Sequence, residues 1–98
     1  MVRRIAILGA TGSIGRSTLD VLARTGGRER WRVTALTGAS NVALLAEQAV
    51  AAGAEVAVTA DPARFAELRG LLDGSGVEAA AGPEAVVAAA AGADWVMA

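Results

Sequence analysis

The feature that most restricts the fold is a turn, Gly9-Ala10-Thr11-Gly12-Ser13-Ile14-Gly15, set between two segments of different hydrophobic period. Before it, Ile5-Ala6-Ile7-Leu8 is a short continuous apolar run, as expected of a strand covered on both faces. After it, Ser13 is a candidate cap for a helix with apolar positions Ile14, Leu19, Val21 and Leu22 near one face, ended by Gly26-Gly27. A strand that turns through glycines straight into a helix leaves N–H groups unpaired at the positive end of the helix dipole, which is an anion site. Without Cβ atoms, Gly12 and Gly15 let a pyrophosphate approach the backbone and let the helix lie close to the strand. Thr11 and Ser13 add hydroxyl donors. Against the dinucleotide fingerprint G-x-G-x-x-G, Ala10 stands at the first glycine and Gly9 comes one place earlier.

The rest of the chain alternates strand and helix. Residues 31–36 read as a second strand, followed by the turn Thr37-Gly38-Ala39-Ser40. Asn41 starts a helix running through Leu44, Leu45, Gln48 and Ala52 to Gly53, and residues 55–59 form a third strand. Asp61-Pro62 opens a helix carrying Phe65, Leu68, Leu71 and Leu72. A strand at 77–80, an Ala-rich helix opened by Pro83 and a strand at 93–98 complete the series. The expected fold is α/β: a Rossmann-like parallel sheet with helices on both faces, incomplete at the C-terminus. On this reading residues 1–98 are the N-terminal part of a nucleotide-binding domain, and catalytic and C-terminal domains are absent.

Composition removes several function classes. The formal net charge is −1, and the nine basic residues, all arginine, form no stripe that could follow a nucleic-acid backbone. With neither Cys nor His there is no disulfide, thiolate ligand or imidazole base. Asp61, Glu67 and Asp73 fit a solvated helix face better than a metal site, so no metal ligand and no catalytic residue is expected in the chain. No apolar run approaches the roughly 20 residues of a membrane span, and no signal peptide is readable, so a cytoplasmic protein is expected. Much of the 54% hydrophobic content is Ala, which predicts a core of Val, Leu and Ile knitted by close Ala and Gly contacts.

The end of the second strand bears on the cofactor. NAD-binding domains carry an acid there for the ribose 2′-hydroxyl, whereas this chain reads Leu36-Thr37-Gly38-Ala39-Ser40-Asn41. Small and polar groups leave room for a 2′-phosphate, with donors from Ser40, Asn41 and backbone N–H groups. That favours NADP, while Ser40-Asn41 also reads as a simple helix cap. Arg16 is within reach of a phosphate but reads more simply as an exposed helical residue.

Residues 9–21, Gly-Ala-Thr-Gly-Ser-Ile-Gly-Arg-Ser-Thr-Leu-Asp-Val, resemble the opening of the 1-deoxy-D-xylulose 5-phosphate reductoisomerase family. The segment 33–42, the helix bearing Glu47-Gln48 and the closing Asp94-Trp95-Val96-Met97-Ala98 are similar to that family as well. The resemblance implies an NADPH-dependent enzyme of the non-mevalonate isoprenoid pathway. Such an enzyme rearranges and reduces a sugar phosphate to 2-C-methyl-D-erythritol 4-phosphate with Mg²⁺ or Mn²⁺, and a homodimer is possible when it is complete. It carries cofactor contacts over to Thr11, Gly12, Ser13 and Ile14, and to Ala39, Ser40 and Asn41 with Gly38 adjacent. Where many members have a Lys or Arg in the second turn, this chain has Ala39-Ser40-Asn41, a loss worth about 1–2 kcal/mol of NADP preference. Two other readings stay open: another NADP-dependent reductase, since other families also open with Gly-Ala-Thr-Gly, and a nucleotide-binding module with no catalysis of its own.

Overall fold

The computed structural model describes residues 3–10, 12–26 and 30–97, with backbone alone at Ser13 and Ile14. The elements run β1 (Arg3–Ile7), α1 (Ser13–Arg24), β2 (Trp31–Gly38), α2 (Val42–Ala52), β3 (Val56–Thr59), α3 (Phe65–Leu72), β4 (Glu78–Ala81), α4 (Pro83–Ala91) and β5 (Trp95–Met97), with a 3₁₀ turn at Pro62–Arg64 before α3. The strands pair in parallel in the order β4-β3-β2-β1-β5. This is the α/β, Rossmann-like sheet expected from the alternation. Right-handed crossovers put α1, α2 and α3 on one face. The return from β4 to β5 then carries α4 back across the other face, where it packs on β1 through β4. The chain therefore leaves β1 in one direction and comes back on its other side, and the crevice beyond the carboxyl end of such a switch strand is where these sheets take ligands.

The core lies between the sheet and α2–α3. Ile5, Ile7, Leu36, Leu45, Leu68 and Val42 are its largest fully buried apolar side chains, and Ala10, Ala49 and Ala57 fill the close approaches, while Ala6, Ala35 and Val58 are buried outside that cluster. β2 is central and covered on both faces, so Val33 through Gly38 are all buried. The pairing register shifts between Ile5 and Ala6: Ile5 faces Val33 and Ala6 faces Ala35. Thr34, the extra residue, is buried with its hydroxyl donating to the Ile5 carbonyl at 3.1 Å, so the bulge leaves no orphaned side-chain oxygen.

Several local expectations are corrected. β2 runs two residues past Leu36, because Thr37 and Gly38 pair with Val58 and Thr59 of β3. The cap of α1 is Gly12, not Ser13, which is the first helical residue. α1 closes at Thr25, whose N–H and hydroxyl both bond the Val21 carbonyl, one residue short of the glycines. Of its apolar positions, Leu19 and Leu22 pack on the core while Val21 is exposed, since the helix can turn only one stripe inward. Leu71 of α3 is exposed as well, at the rim of the stripe that buries Leu68 and Leu72. The fourth strand sits one residue later than expected, and Trp95–Met97 is the regular part of the last.

Candidate functional site

Two turns meet at the carboxyl edge of β1 and β2. The first leaves β1 through Gly9, whose φ of +70° lies in the left-handed region. Thr37 of β2 holds that turn twice: the Gly9 N–H donates to the Thr37 hydroxyl at 3.0 Å, and the Ala10 N–H donates to the Thr37 carbonyl at 2.8 Å. From the far side Gln48 of α2 donates its Nε2 to the Ala10 carbonyl at 2.9 Å. Ala10 is fully buried, and its two backbone polar groups are both engaged.

The glycines of the turn do different work. A Cβ on Gly15 would lie 2.5 Å from the Gly9 carbonyl oxygen and 2.6 Å from the Ala10 Cα, so α1 rests on the turn only because Gly15 has none. Gly15 is buried and offers a ligand no surface. Gly12 is exposed, extended at φ −80° and ψ 172°, and a Cβ there would meet the Gly9 carbonyl oxygen at an ordinary 3.4 Å. Nothing in the described chain requires glycine at 12. Its N–H is not free, as the sequence suggested, because it donates to the Gly9 carbonyl at 3.0 Å to close the turn. The first amide bonded within α1 is that of Arg16, to Gly12, so those of Ser13, Ile14 and Gly15 have no acceptor in the helix. These amides form the positive end of a twelve-residue helix with no acid in its first turn.

The second turn follows β2. Gly38 is the buried last residue of that strand, and its carbonyl accepts from the Ala60 N–H at 2.8 Å. Ala39, Ser40 and Asn41 are exposed. The hydroxyl of fully buried Thr59 donates to the Ala39 carbonyl at 2.7 Å and so pins the turn to β3. The start of α2 is largely satisfied by the chain itself: the Val42 N–H bonds the Ser40 carbonyl, and the Leu44 N–H bonds Asn41 Oδ1 at 3.2 Å. Asn41 is therefore the cap, with its Nδ2 still available outward. The Ser40 hydroxyl and Asn41 amide are what this turn offers a ligand.

Of the residues expected to touch cofactor, the structure brings Gly12, the backbone of Ser13 and Ile14, and Ala39-Ser40-Asn41 to one edge of the sheet; Thr11 lies outside the described residues. Arg16 is exposed on α1. Thr37, Thr59 and Gln48, which hold both turns in place, were not singled out by sequence reasoning. The available signal was polar side chains set among apolar ones, Gln48 above all, on the same stripe of α2 as Leu44, Leu45 and Ala52. Asp61 caps the 3₁₀ turn through the Ala63 N–H, and Arg64 lies 3.5 Å from Asp61 and 3.6 Å from Glu67. Those acids are thus occupied locally. Among the described residues no three His, Cys, Asp or Glu side chains are grouped to hold a metal. Trp95 packs on Trp31 with ring centroids 5.6 Å apart and carries the Arg3 guanidinium over its face, far along the strands from the turns.

The comparisons with known proteins point the same way. The family description of 1-deoxy-D-xylulose 5-phosphate reductoisomerase matches residues 5–98. The reductoisomerase of Rhizobium meliloti (strain 1021) is 59% identical over 97 residues, which is 98% of this chain and 25% of the relative. The solved structure of the Zymomonas mobilis reductoisomerase in complex with NADPH superposes with a TM-score of 0.94 at 50% identity, covering 100% of this chain and 26% of that one. A second solved structure, a reductoisomerase with NADPH, fosmidomycin and magnesium, gives 0.87 at 32% identity, over 97% of this chain and 24% of that one. The chain spans about a quarter of the length of the relatives it matches.

Proposed function

Because the chain belongs to the 1-deoxy-D-xylulose 5-phosphate reductoisomerase family, we propose that residues 1–98 are the N-terminal part of its NADPH-binding domain. The protein that carries them then rearranges 1-deoxy-D-xylulose 5-phosphate and reduces the product to 2-C-methyl-D-erythritol 4-phosphate. The observation that carries the cofactor reading is Gly12: exposed, unstrained and with room for a side chain, it serves the fold only as a helix cap, a place that Ser, Asn or Asp fills at least as well. A diphosphate lying against α1 supplies the reason for glycine, since a Cβ there would occupy the approach to the helix amides. The residues present fit such a group.

In this reading the amides of Ser13 and Ile14, at the open start of α1 beside Gly12, hold the diphosphate, and Thr11 adds its hydroxyl. Ser40 and Asn41 donate to the ribose 2′-phosphate, with Gly38 and Ala39 keeping that turn small. Bound NADPH supplies the hydride for the reduction. The chain's own part is to bind and orient the dinucleotide at the switch strand; no side chain here is assigned to the chemistry. The Mg²⁺ or Mn²⁺ of the reading has no ligand set among the described residues, so its ligands belong to the rest of the protein, as do the contacts to the sugar phosphate. A cytoplasmic homodimer completes the proposal; the absence of cysteine suits a reducing compartment. No described helix is long and apolar enough to cross a membrane.

The test is titration of the full-length protein with NADPH, followed by nucleotide fluorescence, for the native protein and Gly12→Val. Saturable binding lost in Gly12→Val, with the unfolding midpoint nearly kept, is the expected result. Equal affinity in both proteins would remove the first turn from the site.

A further inference from the structure

We propose that Gln48 is a positioning residue for the dinucleotide turn, holding the Ala10 carbonyl away from the phosphate site; the inference rests on the cofactor reading above. Gln48 reaches from α2 to the β1–α1 turn, a contact between residues 38 apart in sequence, and its Nε2 lies 2.9 Å from the Ala10 carbonyl oxygen. A carbonyl only accepts, so the side-chain amide is obliged to present nitrogen there. That orientation leaves Gln48 Oε1 buried with no donor among the described residues. A buried oxygen without a partner is costly, and a Met or Leu in the same place on α2 carries no such cost. Packing alone therefore argues against glutamine at this position. What glutamine supplies, and an apolar side chain of similar length does not, is a donor for Ala10.

That donor matters because of where Ala10 sits. Its N–H is fixed by Thr37 on one side, while its carbonyl belongs to the next peptide, which can rotate about the Ala10 Cα–C bond independently of that N–H. Within a turn closed by the Gly12 N–H to Gly9 carbonyl bond, Gln48 is the side chain among the described residues that fixes the direction of the Ala10 carbonyl. An oxygen released from Gln48 is free to swing toward the helix start, where its negative end opposes a phosphate and competes for the Ser13 and Ile14 amides. Gln48 thus prepares the anion site without touching the anion.

The experiment uses the full-length protein and Gln48→Met, which keeps length and fills the space. NADPH affinity is measured by titration, and the thermal unfolding midpoint is measured without cofactor. The expected result is NADPH affinity weakened about five- to tenfold, the worth of roughly one hydrogen bond. The cofactor-free midpoint stays unchanged or rises, because the orphaned oxygen has gone. In steady state the KM for NADPH rises and that for the sugar phosphate does not. A Gln48→Met protein that binds NADPH as tightly as the native one overturns the inference, and so does one that fails to fold, since Gln48 would then serve the fold itself. If the native protein does not bind NADPH, the cofactor reading fails first, and this inference with it.

Discussion

A methyl group on Gly15 would lie 2.5 Å from the Gly9 carbonyl oxygen, a backbone atom that cannot swing aside, whereas one on Gly12 would meet the same oxygen at 3.4 Å. The same substitution at two glycines three residues apart should therefore separate fold from function. Gly15→Ala is expected to destabilise the protein by about 1–3 kcal/mol, the usual cost of forcing atoms into a filled space. Denaturant unfolding of the protein without cofactor measures it. Gly12→Ala is expected to cost no more than about 1 kcal/mol, as a poorer helix cap, while its effect is felt in NADPH binding. Equal losses of stability would mean that Gly12 is as much a packing residue as Gly15.

At the level of elements, α1 and α2 both begin at the carboxyl edge of the sheet, yet their starts differ. α1 is capped by a glycine that offers no side chain, so no cap side chain takes its first amides; α2 is capped by Asn41, which uses Oδ1 on the Leu44 N–H. On the proposed reading the diphosphate therefore goes to α1, and the second turn is left to side chains, none of them cationic. Ser40→Lys is expected to improve discrimination for NADPH over NADH by about 1–2 kcal/mol, roughly five- to thirtyfold, read as the ratio of the two dissociation constants. The element order and the first turn were legible in the sequence because they rest on local signals: an apolar run, glycines at fixed spacing, Asp61-Pro62 before a helix. The capping role of Gly12 was not, since Ser13 carries the better capping side chain and only the backbone geometry decides between them. Thr37, Thr59 and Gln48 were passed over because their partners, Gly9, Ala39 and Ala10, lie 20 to 38 residues away, and only the assembled sheet brings them together.

For the molecule as a whole, the described sheet is unevenly covered. At one side β4 is backed by α3 and α4, and β2 and β3 are closed on both faces. At the other, β5 is an edge strand anchored to β1 by the Leu8 N–H to Met97 carbonyl bond and by Asp94, whose carboxylate and N–H bond the Arg4 N–H and carbonyl. Successive side chains of a strand point to opposite faces, and Trp95, Val96 and Met97 are 44%, 46% and 40% exposed, so neither face of β5 is covered. On the α1 side this opens a groove of about 620 Å³ lined by Val21, Leu22, Trp31, Trp95 and Met97. An exposed apolar edge strand is a template for another strand. Residues 1–98 produced alone are therefore expected to self-associate at micromolar concentration in sedimentation velocity. Val96→Lys, which sets a charge on that edge while leaving the turns untouched, is expected to return them toward monomer. On the proposed reading, in which the full-length protein continues the sheet past β5, Val96→Lys there is expected to cost stability instead, because the strand is then buried. A stable monomer of residues 1–98 with the native valine would show that the edge is already protected by its own twist and shortness.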